Sequence, residues 1–241
     1  MIFLFFGMFC TRALASTTIP PCTEIQQSLS IPVDGGNITC DPSPEDDSLD
    51  TAVNIQLSYR KYTREVFTLA GCHKIVLCTA LKYAGQARAA IPDWVNHILY
   101  VDTQLGSKSQ GYQTHILHHE LYHLIDYADD ARVYVDTVWA GINSKSFKYG
   151  SGGAAAQNVK DTGALTTAFA GFLTHYSTTG VEEDKAELFA YLMTKPAYVR
   201  ERCSTDPILD TKKKCLVDQL GVFLPGFRTK LLDIINEGHI R

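Results

Sequence analysis

Four of the chain's eight histidines fall between His115 and His123. Within Thr114-His115-Ile116-Leu117-His118-His119-Glu120-Leu121-Tyr122-His123 stands the pattern His-Glu-x-x-His, at His119, Glu120 and His123. On a helix, residues four apart lie one above the other, so two imidazoles at that spacing reach one metal ion. The glutamate directly after the first histidine lies on the adjoining face. There it reaches a water at the metal without being a ligand. The chemistry implied is hydrolysis with one Zn2+ ion and Glu120 as general base. The alternative is a helix whose histidines serve only surface or core. Leu117, Leu121 and Leu124 fall on the opposite side, which predicts an amphipathic helix over 113–128 with the motif facing one way.

Neighbouring residues raise further questions. His115 returns to the motif's face one turn earlier and is either a competing ligand or an ordinary polar residue; His118 points elsewhere. Asp126, three after His123, is placed either to accept a hydrogen bond from a ligand histidine or to sit exposed near the helix end. A catalytic zinc needs a third protein ligand and leaves one position open. Asp129 has the spacing of a third ligand only where a glycine breaks the helix, and Asp126 stands at that place. A second helix is predicted over 181–194, with Ala186, Phe189, Ala190 and Met193 as its apolar stripe. Glu183 and Glu187 flank that stripe, where carboxylates are costly without partners. We therefore read Glu183 as the ligand and Glu187 as a support for a ligand histidine. A solvated acidic face formed by Glu182, Glu183, Asp184 and Glu187 is the competing reading.

Two blocks spanning roughly 95–195 resemble known enzymes. Gly171-Phe172-Leu173-Thr174-His175-Tyr176, followed by Glu183-Asp184-Lys185-Ala186-Glu187-Leu188-Phe189-Ala190, resembles a pattern of bacterial zinc-binding metallopeptidases. The motif helix with Asp126 resembles the gluzincin type seen in lethal factor and Pro-Pro endopeptidase. The resemblance implies Glu183 as third ligand and Tyr176 as a hydroxyl facing the open coordination position, there to stabilise the oxyanion. It also implies a zincin-like fold whose edge strand, expected at Ile98–Asp102, pairs with extended substrate. Tyr122 departs from lethal-factor-type enzymes, which carry a glycine there. Peptides or proteins are the implied substrates. A hydrolase of a non-peptide amide or ester, and a secreted zinc-stabilised binding or toxin-like module, are the rival functions.

The remaining sequence must position these groups. The chain has 241 residues, 45% hydrophobic and 20% charged, enough for a packed core. A net charge of −4 offers no footprint for nucleic acid. The apolar run 2–10 with Ala13-Leu14-Ala15 reads as a signal peptide over 1–15, too short to span a membrane, so a secreted protein with no membrane anchor after cleavage is expected. Six cysteines then remain: Cys22, Cys40, Cys72, Cys78, Cys203 and Cys215. We expect disulfides between local pairs, 22 with 40, 72 with 78, and 203 with 215. Asn37-Ile38-Thr39 is a glycosylation sequon at Asn37. Residues 16–50 read as an N-terminal extension closed by an acidic, proline-rich linker over 41–47, and 51–241 as the metallopeptidase domain. Helical periodicity runs over 51–69. Strands are expected at 74–78, 86–91 and 97–102, and two helices over 208–237. Strands early and helices late predict an α+β fold with a mainly helical C-terminal part.

Overall fold

The computed structural model describes residues 22–25, 29–33, 36–106, 109–153 and 163–236. The expected signal stretch 1–15 lies outside them. The architecture is α+β: one mixed sheet is built early, and helices cover it and form the C-terminal part. The strands are β1 (Cys22–Ile25), β2 (Leu29–Val33), β3 (Gly36–Pro42), β4 (Lys74–Tyr83), β5 (Gln86–Ala87), β6 (Ala90–Asp93) and β7 (Ile98–Asp102). The order is β2-β3-β4-β7-β6, with β1 and β5 also paired to β4. β4 runs parallel to β1 and β7 and antiparallel to β3.

Alternation along the strands gives the sheet two apolar faces. Ile75 and Leu77 of β4, with Leu99 and Val101 of β7, join the large core beneath the helices. Val76, Cys78 and Tyr100 face a smaller core with Ile38, Cys40 and Ile91. Ala80 has φ 51° and breaks the alternation, so Leu81 returns to the side of Cys78.

Several expectations change here. Within the expected extension 16–50, the described strands β1, β2 and β3 belong to the same sheet as β4. Its acidic run is not a linker: Glu45, Asp46 and Asp47 form the first turn of α1 (Glu45–Tyr59), where carboxylates favour the positive end of the helix dipole. Helix 51–69 is divided into α1 and α2 (Arg64–Leu69), though Ile55, Tyr59, Tyr62 and Val66 share one core. The segment 86–91 is split between β5 and β6, and β6 continues through Pro92.

The disulfide pairing also differs. Cys40 bonds Cys78, with Cα atoms 5.9 Å apart, while Cys72, Cys203 and Cys215 are free thiols. Cys72 packs in the large core and Cys78 in the small one, so their side chains lie on opposite sides of the sheet. Cys40 shares the face of Cys78 from the adjacent strand. Cys22 lies in β1, and its side chain is outside the described residues.

Two helices carry the site. α3 (Gln110–Asp130) is capped by Ser109, whose side chain accepts from the Tyr112 N–H, and ends at Ala131 in the left-handed region with φ 60°. α5 (Val181–Thr194) packs across it, after α4 (Thr137–Ile142) and a short 3-10 turn (Tyr176–Thr178). Then come α6 (Pro196–Thr205), α7 (Pro207–Phe223) and α8 (Pro225–Asn236). Pro196 follows α5 directly and starts α6 at a position where no N–H is needed. No helix among the described residues is long and apolar enough to cross a membrane.

Candidate metal centre

α3 presents Leu117, Leu121 and Leu124 to the core, each fully buried, and turns His119, Glu120 and His123 towards a cleft of about 1040 Å³. α5 brings Glu183 to the same place. His119 Nε2 lies 3.0 Å from Glu183 Oε2 and 3.1 Å from His123 Nε2, and His123 Nε2 lies 3.5 Å from Glu183 Oε2. Ligand atoms about 2.0–2.1 Å from one zinc in tetrahedral array stand roughly 3.3 Å from each other. The three observed separations bracket that value, so the residues fit the ion. All three side chains are buried, and nitrogen and carboxylate oxygen are the donor types zinc takes.

Glu187, one turn after Glu183, stands behind His119. Its Oε1 meets His119 Nδ1 at 3.1 Å and His115 Nε2 at 2.7 Å, and its Oε2 accepts from the Thr174 hydroxyl at 2.8 Å. A carboxylate on Nδ1 fixes the tautomer that leaves Nε2 free to bind a metal. His115 is thus tied to Glu187 and stays one turn from the three converging atoms. His118 is fully buried behind the helix and bonds the Tyr62 hydroxyl at 2.6 Å. The Tyr176 hydroxyl, from the 3-10 turn, donates to Glu183 Oε1 at 2.9 Å.

Asp126 does not bond a ligand histidine. Its Oδ1 accepts from the buried Lys185 ammonium at 2.6 Å, and His123 Nδ1 is buried without a partner. Asp129 is exposed near the end of α3, away from the site.

The competing reading of α5 as a solvated acidic face fails on burial. Every residue from Val181 to Met193 is buried, and Glu183, Asp184, Lys185 and Glu187 each have a partner. Asp184 accepts from the Lys212 ammonium at 2.6 Å, the Tyr149 hydroxyl at 2.6 Å and the Trp139 indole at 2.8 Å. Lys212 is itself fully buried, 3.6 Å over the Phe172 ring, and also donates to the Gly171 carbonyl. This knot joins α4, α5 and α7 around the residue next to Glu183. Sequence reasoning missed two buried pairs, Asp184 with Lys212 and Lys185 with Asp126. The signal available was charged residues inside an otherwise apolar helical pattern, which must find partners if the helix is buried.

Electrostatics follow from the same contacts. Burial pushes Glu120 above its usual value, against the pull of His119 and His123. Burial acts likewise on Glu183 and Glu187, but hydrogen bonds and charge from the histidines win. Glu183 is held well below the carboxylate range and Glu187 falls to about 2. For His119 burial opposes the charged form, yet Glu183 and Glu187 raise its pKa well above 6.5. Without metal, the two flanking carboxylates favour the protonated form of His119.

This predicts a pH dependence for the metal-free protein. The raised His119 contributes stability that is full below its unfolded value near 6.5 and is lost as pH rises through the folded value. The lowered glutamates contribute stability that is full above about 4.5 and is lost as pH falls towards about 2. The stability difference between wild type and Glu183→Gln, both metal-free, should peak between about pH 4.5 and 6.5. Zinc must displace the His119 proton, so its stabilising effect should grow as pH rises. Thermal melts across pH, with and without zinc, check both trends.

No protein-family model matches the chain, and no curated protein matches it. A solved structure does: a crystal structure from Bacteroides caccae described as a "putative zinc-binding metallo-peptidase". It shares 16% sequence identity and superposes with a TM-score of 0.54, over 92% of this chain and 85% of that one. The chain thus has a metallopeptidase-like fold, shared along nearly its whole length.

Proposed function

We propose that this protein is a zinc-dependent peptidase. The observation that carries the reading is the meeting of His119 Nε2, His123 Nε2 and Glu183 Oε2 at zinc-ligand separations beside Glu120. The described fold of the Bacteroides caccae protein supports it. His119, His123 and Glu183 would hold the zinc, which would supply an acidified water, with pKa towards about 7, and a Lewis acid for the carbonyl. Glu120, half-buried in the cleft wall, accepts the water's proton and delivers it to the leaving amine. The Tyr176 hydroxyl, held beside Glu183, donates to the oxyanion as charge develops there. Glu187 orients His119.

Extended substrate docks by strand addition, but not at the strand first expected. β7 is flanked by β4 and β6 and has no free edge; β6 is the edge strand and lines the cleft. The Asp102 N–H donates to the Ala89 carbonyl, so in this register Ile91 and Asp93 bond β7 while Ala90 and Pro92 turn outward. Pro92 is tolerated there because its missing N–H faces the open side. The edge thus offers the Ala90 N–H and C=O and the Pro92 C=O. Ala90→Pro should leave the fold intact and lower kcat/KM about tenfold by removing that donor. Peptide kinetics with a melting curve check it; unchanged kinetics would move substrate to another surface.

The same reading places the protein outside the cell, supported by the expected leader, the exposed Asn37 and the Cys40–Cys78 disulfide. Recovery of the native protein from the cytosol would contradict it. A peptide-library digest separates peptidase from the rival hydrolase: cleavage of a small amide or ester with every peptide left intact would overturn the reading.

A further inference from the structure

The cleft has two unlike ends. β6 runs beside α3 in the same direction: Ala89, before the strand, and Gln113, in the first turns of α3, both flank Gly106. Trp94, just past the strand, stacks on Tyr127 with ring centroids 5.2 Å apart. His119, Glu120 and His123 therefore stand about midway along the edge. At the Trp94 end the wall is aromatic, with Tyr134 edge-on to Trp94. At the opposite end stands Arg88.

Arg88 is the cleft's single lysine or arginine among the described residues; the other acids and bases lining it are carboxylates and the two histidines. No described carboxylate lies within ion-pair distance of its guanidinium. Instead, two groups hold the guanidinium in place: Gln86 Oε1 accepts from it at 2.7 Å and the Ala87 carbonyl at 3.3 Å. Three of its five N–H groups remain for an incoming acceptor. Arg88 is half-buried and close enough for its charge to act on Glu120. An oriented guanidinium at the wall of a cleft suits a planar two-oxygen partner.

The strand direction says which part of a substrate meets it. The outward N–H and C=O of Ala90 can be exchanged with one facing residue, as in the narrow pair of an antiparallel ladder. A chain added antiparallel to β6 runs towards Arg88, so its residues after the scissile bond reach that end.

We propose that Arg88 is a substrate-binding residue that takes a carboxylate on the carboxyl-terminal side of the scissile bond. The carboxylate comes either from an Asp or Glu side chain or from the end of the peptide. This assignment rests on the peptidase reading above. Arg88 keeps its bonds to Gln86 and Ala87 when no carboxylate is present, so neutral substrates are accepted less well rather than rejected. The expected preference is about 10- to 100-fold in kcat/KM, and it shrinks at high ionic strength.

The test uses the full-length zinc-loaded protein and four peptide pools. The pools share random sequence and differ in carrying Glu or Gln at one fixed position, and a free or amidated carboxyl end. Equilibrium binding is measured on Glu120→Gln, with and without Arg88→Gln, and cleavage sites are mapped with wild type. Tighter binding of a carboxylate pool that disappears in Arg88→Gln, while the neutral pool binds as before, supports the assignment. Which pool gains identifies side chain or terminus. A carboxylate preference that survives Arg88→Gln, no preference at all, or Glu selected before the cleaved bond overturns it. Binding needs no turnover, so the readings fail separately. Preference without cleavage would sink the peptidase reading and leave Arg88 only as a carboxylate-binding residue, and cleavage without preference would sink the Arg88 assignment alone.

Discussion

Glu120→Gln should lower kcat by about 10³-fold while the protein keeps its zinc. Glutamine fills the same space beside His119 and His123 but cannot accept a proton. Glu120 faces the cleft rather than the three converging ligand atoms, so metal content should not change. Its setting suits a proton acceptor. Burial raises its pKa, and the histidine charges restrain the rise. Tyr176→Phe tests the second working group and should cost about 10²-fold in kcat with little change in KM. Because that hydroxyl also bonds Glu183, zinc content must be measured on the same sample. Full activity in Glu120→Gln would remove the general base from the account, whatever Tyr176 does.

Glu183→Ala should weaken zinc binding by more than about a hundredfold. Loss of a residue that only supports a ligand costs 10- to 100-fold, and a ligand itself costs more. Glu187→Gln belongs to the smaller class, because it touches His119 at Nδ1, the nitrogen away from the other two ligand atoms. Asp129→Ala should change nothing, since Asp129 is exposed near the end of α3. Competition with a chromogenic chelator gives all three affinities. Zinc kept by Glu183→Ala and lost by Asp129→Ala would move the third ligand onto α3 and overturn the site.

Much of the site could be read from spacing because a helix has a fixed period. Residues 119 and 123 must share a face once Leu117, Leu121 and Leu124 define the other. Glu183 and Glu187 are likewise one turn apart, and the distance between α3 and α5 lets each meet His119 from a different side. What spacing could not supply was the neighbour across space. Spacing makes Asp126 a fair partner for His123 along one helix, but its Oδ1 accepts from Lys185 of another, and Asp126 Oδ2 and His123 Nδ1 are both buried without a partner. Asp184 reads as part of an acidic surface along its own helix, but Lys212, 28 residues later in the chain, pairs with it.

The sheet was less legible for a related reason. Strand residues were recognisable at 74–78 and 97–102, but strand order depends on long-range pairing. The free sheet edge is therefore Ala90–Asp93 and not Ile98–Asp102. Cysteine pairing failed in the same way. Nearness in sequence suggested Cys72 with Cys78, while alternation on β4 sends the bonded thiol towards Cys40. The acidic run at 45–47 shows a different ambiguity. Charge that reads as a solvated loop serves equally as the first turn of a helix.

The central claim is that one zinc, held by His119, His123 and Glu183, makes this chain a peptidase. Titrating zinc into metal-free protein while following hydrolysis of a susceptible peptide tests it most directly. The account predicts no cleavage at the start, a linear rise, and a plateau at one zinc per chain. Cleavage by the metal-free protein, or none of any peptide at one bound zinc, would contradict it.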